Sequence, residues 1–182
     1  MTLIGLFTAL HIAAAVILRV GGEGAVPFSL VPLFVMLAGL LLGRKGAISL
    51  IVYALLGLMG IPVFAKAPFG GLSYCLQPSF GFVIGYVLAA FVIGWIIERW
   101  SWRSPLSLFL ALVAGLAALY LCGLPYLYLV MRFVFGKTLS LQQVFTFGFF
   151  PFIAFDLVKA GLAAALAAAV GRRLPSIVAR RF

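Results

Sequence analysis

Apolar residues in this chain gather into six long runs, each closed by glycine, proline or a cluster of basic residues. The first extends from Leu3 to Leu18 and stops at Arg19, ahead of the turn-prone Gly21-Gly22-Glu23-Gly24. The second goes from about Phe28 to Gly43. Pro32 inside it removes a backbone donor, which predicts a short, kinked or irregularly begun helix. Gly43-Arg44-Lys45-Gly46 reads as a tight turn into the third run, Ala47 to Phe64. A glycine-containing loop, Lys66 to Gln77, precedes the fourth, about Ser79 to Ile97. Gly70 and Gly71 give that loop the freedom expected of a mobile cover. Ser104-Pro105 has the form of N-cap plus first helical position for the fifth run, about Leu106 to Leu121, with Gly123 and Pro125 expected to end or bend it. Ser140-Leu141-Gln142-Gln143 has capping-box spacing and predicts a short helix. The sixth run, about Phe150 to Val170, stops at Gly171 with Arg172, Arg173 and Pro175 behind it.

Runs of this length match the ~20 apolar residues that a helix needs to cross a bilayer core. Composition sharpens the reading: of 182 residues 66% are hydrophobic and only 9% charged, with a mean hydropathy of +1.29. A water-soluble domain is about a quarter charged. So few charges could not cover a soluble fold, and so apolar a chain does not stay disordered. The expected architecture is an all-α integral membrane protein, one six-helix transmembrane domain over residues 1–182. The first run lacks a basic segment before it and is followed by further spans, so it reads as a span and not a cleaved signal.

Charge adds orientation. There are 13 Lys plus Arg against 3 Asp plus Glu, a formal net charge of +10. The basic residues flank apolar runs and do not form a patch interleaved with aromatics. They therefore point to topology and anionic membrane lipid, not to nucleic acid. Six spans put both termini on one side. The ends on that side carry Arg44, Lys45, Arg99, Arg103, Arg172, Arg173, Arg180 and Arg181, and the opposite ends only Arg19, Lys66, Arg132 and Lys137. The excess places both termini in the cytoplasm.

Candidate chemistry centres on Asp156 and Lys159, three residues apart in the sixth run and so on one helix face. A charge at the membrane centre costs ~2.5–3.5 kcal/mol on insertion scales, so such a pair faces a polar cavity or neutralises itself. Intramembrane ionisable groups are functional by default, so the pair reads as a site, with a purely structural pair as the alternative. Gln77, Ser79, Gly81 and Phe82, at the outer end of the fourth span, could wall a ligand or form an ordinary helix start. Tyr53 and Tyr86 are pocket or interfacial residues; Tyr126 and Tyr128 fit the interfacial belt better. Gly5, Ala9 and Ala13, with four-residue spacing in the first span, would let another helix approach closely, from within the chain or from a partner. The alanines of the sixth run, Ala160 to Ala168, suit internal packing.

Catalysis and cofactors find no support. His11 is the only histidine, three acids make no carboxylate cluster, and Cys75 and Cys122 are isolated, so a metal site is not expected. His11 fits a polar contact within the bundle. Gly136-Lys137-Thr138 mimics the end of a phosphate loop, but Met131 stands where the first glycine belongs. The chain is not expected to be an enzyme, nor to hydrolyse ATP alone.

Phe28-Ser29-Leu30, the stretch Leu37 to Gly43 and the stretch Tyr53 to Ala65 resemble the BioY family, the biotin-binding S components of energy-coupling factor (ECF) transporters. The resemblance continues through Gly70-Gly71-Leu72, Pro78-Ser79 and Asp156-Leu157-Val158-Lys159-Ala160. It implies a six-helix S-component bundle that captures biotin at the outer face. Release inside would be driven by a module of one T-type membrane subunit and two ATPase subunits. It implies that Asp156 and Lys159 take part in biotin recognition, and that Gly5, Ala9 and Ala13 serve docking to the T-type subunit. Gln77, Ser79, Phe82 and Tyr86 join the expected binding residues. The chain departs from the family where Val31 replaces a frequent Gln, where Gln77 to Phe82 replaces Gly-Pro-Thr-Gly-Gly-Tyr, and where Ala154-Phe155 replaces Pro-Gly. The alternatives are an S component for another small vitamin, or a non-transporting membrane subunit in which the Asp-Lys pair is structural.

Overall fold

The computed structural model describes residues 1–21, 29–99 and 104–173. Its α-helices are α1 (Thr2–Gly21), α2 (Val31–Leu42), α3 (Gly46–Leu58), α4 (Phe80–Arg99), α5 (Pro105–Phe133), α6 (Leu141–Gly148) and α7 (Phe150–Arg173), with no strand among the described residues. The six apolar runs appear as α1–α5 and α7, and the predicted short helix as α6. Helix α1 takes in Gly21, while the rest of the expected turn, Gly22 to Gly24, with Phe28 and the basic residues Arg103, Arg180 and Arg181, lies outside the described residues.

Among the described residues, five stretches are long and apolar enough to cross a membrane: Thr2–Val20, Val31–Leu58, Phe80–Arg99, Pro105–Phe133 and Phe150–Ala169. Two expected spans, α2 and α3, fall into one stretch because each is short, at 12 and 13 residues. They fold back on each other at a 3-10 turn, Gly43–Lys45, where Gly43 takes a φ of 61° that only glycine adopts cheaply. Val31 and Tyr53 consequently line the same cavity although they belong to opposite arms. Pro32 sits in the first turn of α2, where its missing N–H is harmless, so it begins the helix and does not kink it.

Helix α4 is the hub and packs against α2, α3 and α5. Its glycines allow backbone contact: a Cβ at Gly94 would meet the Gly43–Arg44 backbone, and one at Gly85 would meet the Leu119 carbonyl 2.7 Å away. At the same end Glu98 accepts from the Arg44 backbone N–H (2.8 Å) and pairs with its guanidinium (2.5 Å). That bridge locks the α2–α3 turn to the end of α4.

Helix α5, 29 residues long, runs to Phe133 through Gly123 and Pro125, the two residues at which an end or bend was expected. A proline inside a helix costs ~3 kcal/mol, but breaking the helix in lipid would strand several backbone groups at similar cost each. Continuation therefore wins. Both caps read from the sequence form: Ser104 accepts from the Ser107 N–H, and Ser140 and Gln143 make a reciprocal capping box.

Helix α1 leans on α3 through buried polar groups. Thr8 donates to the Ser49 carbonyl at 3.0 Å. His11 is wholly buried and its Nδ1 donates to the Phe7 carbonyl one turn back, which is the internal contact expected of it. Gly5, Ala9 and Ala13 lie on the opposite, exposed side of α1, and nothing stands within 4 Å of a Cβ placed at Gly5. The small-residue strip is therefore not covered by the described part of the chain.

Candidate functional site

The buried positions of α7 are Asp156, Lys159, Ala160, Ala163 and Ala164, spaced as one face of a helix. Val158, Leu162 and Leu166 lie on the exposed side, as expected of residues against lipid. The alanines let α7 pack on α2 and α5, and this packing carries the two charges inward. Asp156 is 3% exposed and Lys159 9%. Counting six residues from Phe150 at 1.5 Å each, Asp156 stands ~9 Å along the helix from its start.

The carboxylate is gripped on both oxygens. Lys159 Nζ donates to Oδ1 at 2.9 Å, and the Tyr120 hydroxyl donates to Oδ2 at 2.6 Å. A carboxylate has about four lone-pair sites, so two bonds leave acceptor capacity for a ligand donor. The ammonium carries three hydrogens, one of which goes to Oδ1.

These groups form one wall of a cavity of ≈ 200 Å³. Its other walls come from every region of the fold: Ala15 and Leu18 of α1, Val31 of α2, Tyr53 of α3, Ser79, Phe82, Val83 and Tyr86 around α4, Leu119 and Leu127 of α5, and Phe147, Gly148 and Phe152 beside α7. The lining is largely aromatic and aliphatic with a few polar groups, as small-molecule pockets are.

The segment between α3 and α4 lines one end of the cavity with Ala65, Lys66 and Tyr74, and its anchors are aromatic. Phe64 and Tyr74 are buried and stack with ring centroids 4.1 Å apart, while Tyr53 meets Phe64 edge-on at 5.5 Å. The Tyr74 and Ser79 hydroxyls are hydrogen-bonded at 3.1 Å. Burial pushes the Tyr74 phenol up, so it remains a neutral hydroxyl. The Tyr126 hydroxyl, on the part of α5 beyond Pro125, bonds the Cys75 carbonyl and ties the segment to the bundle.

Of the residues expected at the site, Asp156, Lys159, Ser79, Phe82 and Tyr86 come together around this cavity. Gln77 does not line it; its backbone N–H donates to the Tyr74 carbonyl and its own carbonyl accepts from Phe80, so it joins the α3–α4 segment to α4. Sequence reasoning passed over Tyr120, Tyr74 and Lys66. Tyr120 stands one residue before the expected end of the fifth run, so its place at mid-helix shows only once α5 is seen to continue to Phe133.

With this geometry in view, the chain matches the BioY family over residues 1–176. This protein belongs to the BioY family. It is 42% identical over 143 residues to the probable biotin transporter BioY of Lysinibacillus sphaericus, covering 78% of this chain and 72% of that one. It is 38% identical over 165 residues to the biotin transporter BioY of Thermotoga maritima, covering 90% of each. The Rhizobium etli biotin transporter BioY aligns over 99% of this chain and 97% of its own length at 34% identity. Among solved structures, the S-component for biotin from an ECF-type ABC transporter superposes with a TM-score of 0.74 over 94% of this chain and 89% of the other. At 22% identity that likeness speaks for the fold. The BioY-family bundle described here is a multi-pass membrane protein.

Proposed function

We propose that this protein captures biotin as the substrate-specific S component of an ECF transporter. The observation that carries the reading is the polar cluster Tyr120–Asp156–Lys159 set into an otherwise apolar cavity in a BioY-family bundle. Biotin has matching parts: a ureido ring with two N–H donors and a carbonyl acceptor, a thioether ring and an aliphatic tail. Asp156 can take the ureido donors and Lys159 can give to a carbonyl or carboxylate, while Phe82, Tyr86 and Phe152 enclose the apolar parts. Burying the ligand in lipid-level surroundings strengthens each of these contacts.

The protein supplies binding, and energy comes from elsewhere. An ECF module of one T-type membrane subunit and two ATPase subunits would drive release inside. Gly5, Ala9 and Ala13 on exposed α1 offer the T-type subunit a smooth strip for helix contact. The whole chain, 1–182, acts as a single domain with both termini in the cytoplasm, the side on which Arg44, Lys45 and Arg99 cluster. Uptake by cells that cannot make biotin and lack their own transporter tests this. Co-expression of the chain with an ECF module should restore growth at low external biotin. Rescue equally well without the chain would overturn the proposal. Preferential uptake of a different vitamin would leave an S component of other specificity.

A further inference from the structure

The cavity-lining residues include three ionised side chains: Asp156, Lys159 and Lys66. The first two neutralise one another at 2.9 Å, so among the described lining residues the balance is one positive charge, that of Lys66. Glu98 is engaged by Arg44 at the other end of α4, and the third acid, Glu23, lies outside the described residues.

Lys66 is exposed, yet its backbone is held in place. The Phe64 N–H donates to the Phe69 carbonyl and the Phe69 N–H donates to the Lys66 carbonyl, both at 2.8 Å, closing a compact turn around it. Arg19 of α1 clamps that turn. Its guanidinium donates to the Pro62 and Phe64 carbonyls at 2.7 Å each and lies 4.1 Å above the Phe69 ring centre. Phe64, fully buried under Tyr74, anchors the near side. A lysine on a fixed turn thus lines the cavity at an exposed position, while the hydrogen-bonding groups of Asp156, Lys159 and Tyr120 lie on α7 and α5.

We propose that Lys66 is a specificity residue that pairs with the carboxylate of the bound ligand, so that the cavity selects a monoanion with a neutral hydrogen-bonding head held at Asp156. This rests on the biotin reading, and biotin is such a monoanion. The ring system would lie against Asp156, Lys159 and Tyr120, and the tail would run outward to Lys66. Molecules with the same head and an uncharged tail would lose the Lys66 contact alone.

The test compares biotin with biotinamide, its uncharged amide, as equilibrium binding to purified full-length protein. The wild type should prefer biotin by about fivefold, the scale of a charge pair at an exposed position. Lys66→Met should lose that preference by weakening biotin alone, with biotinamide changed by less than about twofold, and Lys66→Arg should keep it. Added salt should narrow the wild-type preference. The inference is overturned if Lys66→Met still prefers biotin, which would assign the carboxylate to another donor, or if it weakens both compounds equally, which would make Lys66 a packing residue. Wild-type protein that binds neither compound overturns the biotin reading and this inference with it.

Discussion

Asp156→Asn and Lys159→Met each remove one member of an ion pair that is almost fully buried. Removing one partner leaves the other charge uncompensated, at a cost of about 3–5 kcal/mol in protein interiors. The cavity beside the pair admits water, and Asp156 keeps its Tyr120 bond in Lys159→Met, so the lower end applies. At ~2–4 °C per kcal/mol for a chain of this size, each single variant should melt roughly 6–12 °C below the wild type in detergent. Asp156→Leu with Lys159→Met removes both charges and should recover part of the loss, up to about 2 kcal/mol, because the stranded Tyr120 hydroxyl still costs ~1–3 kcal/mol. Binding separates the two meanings of the pair. Each single variant should bind biotin at least about tenfold more weakly, since losing a charged partner in a desolvated site costs ~2–5 kcal/mol and tenfold is only ~1.4. The double variant should be folded and still fail to bind. Calorimetric titration alongside thermal unfolding reads both quantities. A folded double variant with wild-type affinity would refute the reasoning and return the pair to structure.

Further outcomes follow from individual contacts. Tyr120→Phe deletes the 2.6 Å bond to a carboxylate, worth ~1.5–3 kcal/mol, and should weaken biotin binding by about tenfold; unchanged affinity would remove Tyr120 from the site. Ala9→Trp adds bulk to an exposed strip, so it should abolish pull-down of the ECF module while leaving biotin affinity intact, and intact assembly would sink the docking assignment. Arg19→Gln releases the Pro62 and Phe64 carbonyls, so hydrogen exchange over residues 62–69 should accelerate, and unaltered protection would show that the clamp is dispensable. Gly94→Val forces a side chain into the Gly43–Arg44 backbone and should lower the melting temperature clearly more than Gly5→Val, which meets open space.

Much of this arrangement is legible along the chain because bilayer thickness and backbone satisfaction leave few options. Each run became a helix, although α3 stops at Leu58 and not at Phe64 and α5 runs on to Phe133. Local signals such as Ser104-Pro105 and Ser140 to Gln143 became caps because their partners lie within three residues. Asp156 and Lys159 declared themselves by charge in an apolar run and by their spacing. What stayed hidden depends on tertiary packing. Tyr120 reaches Asp156 only because α5 and α7 lie together, 36 residues apart in sequence. The passage of α5 through Pro125 was decided by the cost of ending a helix in lipid, which a local proline signal does not report. The place of Lys66 in the cavity lining follows from a turn closed by Arg19 on another helix.

The most direct test of the central claim is equilibrium binding of labelled biotin to the purified full-length protein, with other labelled vitamins measured alongside. The account predicts saturable binding of one biotin per chain, abolished or strongly weakened in Asp156→Asn, and no comparable binding of the other vitamins. Absence of biotin binding, or tighter binding of a different vitamin, would contradict it.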